Sequence, residues 1–213
     1  MKNEFDLGFC KLYSKKTINY RDKILIVKAY NIVKKFFNIS LPKFDLVFVG
    51  TRKEFNRLLG RETPIYMIGF VNRRGIVIFS PEKIGYETCW KRTDFYSTMV
   101  HEISHLFFRR ISKKNVPVWL NEGLATYLQN NCTATKKRIK ISYPELTRKF
   151  NTKQSLNYNM YWGFVYYLIK YYKKEKIMKI MKKIGKSKNN EKLFKFTYGK
   201  TLKDLIKDVN NKI

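Results

Sequence analysis

The chain has 213 residues, 44% of them hydrophobic, enough to bury a core in one domain, and no apolar run nears the roughly 20 residues of a transmembrane helix. Its net charge of +29 is mostly lysine spread along the whole length, amid abundant Asn, Ile, Tyr and Phe. That pattern fits a composition bias with adventitious polyanion binding, and no nucleic-acid motif accompanies it, so no dedicated nucleic-acid role is expected.

Cys10, Cys89 and Cys132 are odd in number, far apart and lack a C-x-x-C pair, which reads as reduced thiols and no second metal centre. Glu4 and Asp6 precede any long apolar stretch, unlike a signal peptide, so the expected location is cytoplasmic.

In chain order, residues 23–37 carry Ile24, Val27, Tyr30, Ile32, Val33, Phe36 and Phe37 among lysines, which predicts an amphipathic helix packed on a sheet. Residues 44–50 read as a Gly-terminated strand and 51–59 as a short helix. Residues 64–71 and 75–80 read as a strand pair around the turn Asn72-Arg73-Arg74-Gly75.

Residues 95–111 form the clearest helical pattern, with Asp94 as its expected N-cap and Phe95, Met99, Val100, Ile103, Leu106 and Phe107 on one face. Arg109, Arg110, Lys113 and Lys114 give its end a charge that complements the helix dipole. Both histidines of the chain lie here, in His101-Glu102-Ile103-Ser104-His105. Residues four apart on a helix share a face, so the two imidazoles can grip one Zn²⁺ at roughly 2.0–2.1 Å each. Glu102 then sits where it can take a proton from a water at the metal.

An open catalytic zinc site needs a third protein ligand, and with no further histidine it must be a carboxylate or a thiolate. Pro117 suits the first turn of a new helix, with Asn115 a plausible cap. Glu122 falls in that helix, in Val118-Trp119-Leu120-Asn121-Glu122-Gly123-Leu124-Ala125. Among apolar neighbours an unpaired carboxylate is costly, so Glu122 is either a metal partner or a first-turn acid favoured by the dipole. Thr126, one turn on, is placed for a hydrogen bond to a ligand.

Residues 136–150, with Pro144, read as a basic loop or strand excursion, and residues 157–172 open a long apolar helix. Gly185 is a helix stop, and Thr201 with Asp204 a capping-box start.

H-E-x-x-H followed by W-L-N-E-G-L-A resembles the gluzincin branch of zinc metallopeptidases, and is most similar to the small bacterial peptidase MA-like domains, over roughly residues 40–213. The resemblance implies an α+β, zincin-like fold: an N-terminal mixed sheet with helices, about residues 1–92, then the active-site helix and a mainly helical lobe, about 93–213, in one domain. It implies Glu122 as third ligand beside His101 and His105, one Zn²⁺ per chain, and Glu102 as general base. It also implies Tyr161 as oxyanion donor, with Tyr158 second. The 75–80 strand is the implied sheet edge for pairing with an extended peptide.

The implied activity is zinc-dependent hydrolysis of peptide bonds in a peptide or protein substrate, and the lack of an exopeptidase amine-holding motif favours an endopeptidase. Two alternatives stand beside it: a regulatory protease specific for one partner protein, and a zinc-stapled binding protein without catalysis. Oligomeric state leaves no mark in the sequence.

Overall fold

A computed structural model of the chain describes residues 3–112, 116–129, 140–147, 157–187 and 189–212. Lys113, Lys114, Asn115, Cys132 and residues 136–139 and 148–150 of the expected excursion lie outside the described residues. The fold is mixed α+β, a five-stranded sheet with a mostly helical remainder, and divides into two compact units, Met1–Phe107 and Phe108–Ile213.

In the first unit, β1 (Asn3–Asp6) and β2 (Cys10–Ser14) form an antiparallel hairpin. Its turn needs Gly8, at φ +83°, whose N–H donates to Asp6 Oδ1 at 2.7 Å. This hairpin is not foreseen in the sequence, although Cys10, Leu12 and Ser14 alternate inward. Next, α1 (Tyr20–Phe37) is the predicted helix, with Asn19 accepting the Asp22 N–H at its start, but it buries Ile26, Ala29, Tyr30, Val33 and Phe37, whereas Ile32 of the expected set is 46% exposed. β3 (Phe44–Val49) runs parallel to β2, and α2 (Arg52–Leu59) follows, capped by Thr51.

β4 (Gly69–Val71) pairs antiparallel with β5 (Gly75–Phe79), and Asn72 Oδ1 accepts the N–H groups of Arg74 and Gly75 in the turn between them. The strand order is β1-β2-β3-β5-β4. Two expectations are corrected here. Residues 64–68 are not strand: Ile68 still accepts the Phe79 N–H, but the carbonyls of Pro64, Ile65 and Met67 accept from the Arg52 guanidinium, which also donates to Thr63 Oγ1. The 75–80 strand is not an edge either, since β5 bonds β3 on one side and β4 on the other. The edges are β1 and β4.

A short α3 (Ile84–Glu87) leads to α4 (Phe95–Ile111), which has the predicted span. Asp94 does not cap α4; it closes the 3₁₀ turn before it, its carboxylate accepting the Lys91 N–H at 2.8 Å. Large rings seat α4: Phe95 meets Phe48 of β3 edge-on at 5.8 Å, and Phe107 lies 5.6 Å from both Tyr30 and Phe37 of α1. Arg92 pairs with buried Asp22 at 3.2 Å, tying the approach to α4 to the start of α1. Burial is the largest influence on that carboxyl and raises its pKa despite the arginine.

In the second unit, α5 (Val118–Gln129) packs on α7 (Tyr158–Tyr172), with Trp119 1% exposed and 5.0 Å from the Phe164 ring. Between them comes α6 (Tyr143–Thr147), a short helix where a loop or strand is expected, with Pro144 in its first turn, where a missing N–H costs nothing. Then α8 (Lys174–Ile184) buries Ile177, Ile180, Met181 and Ile184 and ends at Gly185 as predicted. The remaining helices are α9 (Asn190–Tyr198) and α10 (Leu202–Lys212). The predicted capping box is present: Asp204 N–H donates to Thr201 Oγ1 at 3.2 Å, and Thr201 N–H to Asp204 Oδ2 at 3.1 Å. No described helix is long and apolar enough to cross a membrane.

Candidate metal centre

The inner face of α4 is set by Phe95, Met99, Ile103 and Phe107, each 0–1% exposed. This orients the rest of the helix. His101 and His105 lie one turn apart and half-buried, with ring centroids 4.7 Å apart and planes at 86°. Ser104, between them in sequence, is buried and donates to the Val100 carbonyl at 2.6 Å, so its hydroxyl is occupied within the helix.

Glu102 is 7% exposed, an unusual depth for a carboxylate. It lies against β4 at Gly69. A Cβ built on Gly69 would stand 3.0 Å from Glu102 Cγ and 3.1 Å from both Cδ and Oε1. Nothing in the sequence singles out Gly69, because a steric allowance leaves no spacing pattern.

Glu122 is half-buried on α5, followed by the buried run Gly123, Leu124, Ala125 and Thr126. Gly123 explains how closely α5 meets α7. A Cβ there would stand 2.7 Å from the Tyr161 carbonyl oxygen and 2.8 Å from Val165 Cγ2. The backbone of Tyr161 therefore abuts the residue next to Glu122, and Tyr161 itself is 3% exposed. Tyr158, the second choice for an oxyanion donor, is 40% exposed. Thr126 departs from expectation: its buried hydroxyl has no hydrogen-bond partner among the described residues, so the foreseen bond to a ligand is not formed.

The expected ligands come together. One ligand atom each from His101, His105 and Glu122 lies within 4.8 Å of the others. Two imidazoles and a carboxylate form a donor set that suits zinc among the common divalent metals.

The sequence model of the family described as the peptidase MA superfamily matches residues 83–213, which include α4 with its histidines, Glu122 and α7. The chain belongs to the peptidase MA superfamily. It is accordingly peptidase-like, with a peptide or protein as the implied substrate, and its relatives are generally metal-dependent. A search of curated proteins finds no match to the chain.

Proposed function

We propose that the chain is a zinc-dependent metallopeptidase of the gluzincin type, cutting within peptide chains, with a zincin-like fold over a single domain of residues 1–213. The observation that carries this is the gathering of His101, His105 and Glu122 within 4.8 Å, in a chain of a peptidase family. These three residues would hold one Zn²⁺. A metal ion in such a site supplies positive charge that lowers the pKa of a water towards about 7 and polarises a carbonyl.

The protein's own groups do the rest. Glu102 accepts a proton from the water that attacks the peptide carbonyl, then passes it to the departing amine nitrogen. Its buried setting against β4 shields that transfer from bulk water. Tyr161 donates a hydrogen bond to the oxyanion, a role typically worth roughly 3 kcal/mol. An extended substrate pairs with β4, the edge strand that touches Glu102.

The test is digestion of casein by purified, metal-analysed protein with and without chelator. Zinc with broad, chelator-sensitive cleavage is the expected result. Zinc with cleavage confined to one protein of a cell lysate would make the enzyme a dedicated regulatory protease. Metal-dependent folding without any cleavage would reduce the zinc to a staple and overturn the proposal.

A further inference from the structure

Gly69 is buried in the sheet on a strand, paired with Ile78 and flanked by Ile68 and Phe70, which are 6% and 7% exposed. It is not among the glycines with positive φ, so its backbone is open to any residue. Glycine in a strand forfeits packing and costs conformational entropy, and a site that keeps one calls for a reason of space. The space is the one that Glu102 fills. The three atoms nearest to an added Cβ are Cγ, Cδ and Oε1 of Glu102, all at 3.0–3.1 Å. At that separation a methyl group cannot be added unless the carboxylate gives way.

We propose that Gly69 is a positioning residue for Glu102: the bare backbone of β4 is the wall against which the Glu102 carboxylate is set, and any side chain at position 69 displaces it. This rests on Glu102 being the base. A base tolerates misplacement of only about 0.5 Å before proton transfer suffers, so a wall of the right depth matters more here than the packing that alanine would add.

The experiment is a double-mutant cycle on the full chain, read in two ways. Thermal unfolding reads the contact independently of catalysis. Gly69→Ala lowers the unfolding temperature by about 3 °C in the wild-type background. In a Glu102→Ala background the same change costs nothing or raises it, because the added Cβ no longer meets a carboxylate. An equal loss in both backgrounds overturns the proposal, since Gly69 would then be needed for reasons unconnected with Glu102.

Cleavage of fluorescently labelled casein by zinc-loaded protein reads the positioning. Gly69→Ala lowers kcat by roughly 10- to 100-fold, with KM and zinc per chain unchanged. Unchanged kcat in Gly69→Ala, alongside an inactive Glu102→Gln, overturns the positioning role and leaves the base in place. A Glu102→Gln variant as fast as wild type overturns the base, and the positioning role with it.

Discussion

Glu102 combines a charge with 7% exposure, and a buried carboxylate persists only where something compensates its desolvation. On the proposed reading, the charge of a metal held by His101 and His105 would be part of that compensation. Glu102→Gln keeps the shape that rests on Gly69 and removes the base. It is expected to bind zinc as wild type does and to lose casein cleavage by about 10²- to 10⁴-fold, measured by metal analysis and initial rates. Thr126 makes the opposite case. Its buried hydroxyl has no partner among the described residues, so Thr126→Val removes an unmet polar group at constant shape. The unfolding temperature should hold or rise by up to about 3 °C, with zinc affinity unchanged. Weakened zinc binding would show that the hydroxyl takes up its foreseen bond once metal is present. At this scale the sequence was most legible where chemistry imposes spacing. His101, Glu102 and His105 were visible through the four-residue helical repeat, and Glu122 through the family segment around it. Gly69 was not visible, because its role is to leave room for a residue far away in the chain.

Among the elements, α2 has a use that its amphipathic pattern did not announce. Arg52 at its first position donates to Thr63 Oγ1 and to the carbonyls of Pro64, Ile65, Met67 and Glu87, and its guanidinium carbon lies 4.5 Å from the Phe79 ring centroid. Arg52 thus gathers the segment leading into β4, alongside the Trp90 Nε1–H bond to the Tyr66 carbonyl and the Cys89 N–H bond to that of Ile65. Arg52→Ala should lower stability by about 2–3 kcal/mol in urea unfolding and speed amide exchange in residues 63–69. Wild-type exchange rates there would show that the segment holds itself.

At α10 the Thr201 and Asp204 pair is a local device, legible from sequence because its partners are three residues apart. Thr201→Ala should cost about 1 kcal/mol. The Thr201 hydroxyl and N–H hold the Asp204 carboxyl below its ordinary pKa of 3.8, so the cap contributes above that value and is lost as pH falls through the depressed one. The β1–β2 hairpin and the true sheet edge were hidden for a common reason. Pairing partners in a sheet are set by the whole topology, and β5 looks the same in sequence whether or not β4 covers its outer side.

For the whole molecule, the family match begins at residue 83, after the last strand, so the sheet and α1 are supported by structure alone. The net charge of +29 belongs to this scale as well. Lysines spread over β2, α1, α2 and α7 to α10 predict loose, sequence-independent binding to duplex DNA, lost by at least about 10³-fold between 50 and 200 mM salt. A strong preference for one sequence at 200 mM would contradict that and point to a dedicated nucleic-acid surface. The central claim is that three side chains gathered within 4.8 Å hold a zinc ion. Bound zinc per chain, measured by elemental mass spectrometry on wild type and on Glu122→Ala, tests it most directly. The account predicts one zinc per wild-type chain and a marked loss in the variant, whereas equal, tightly held zinc in both would contradict it.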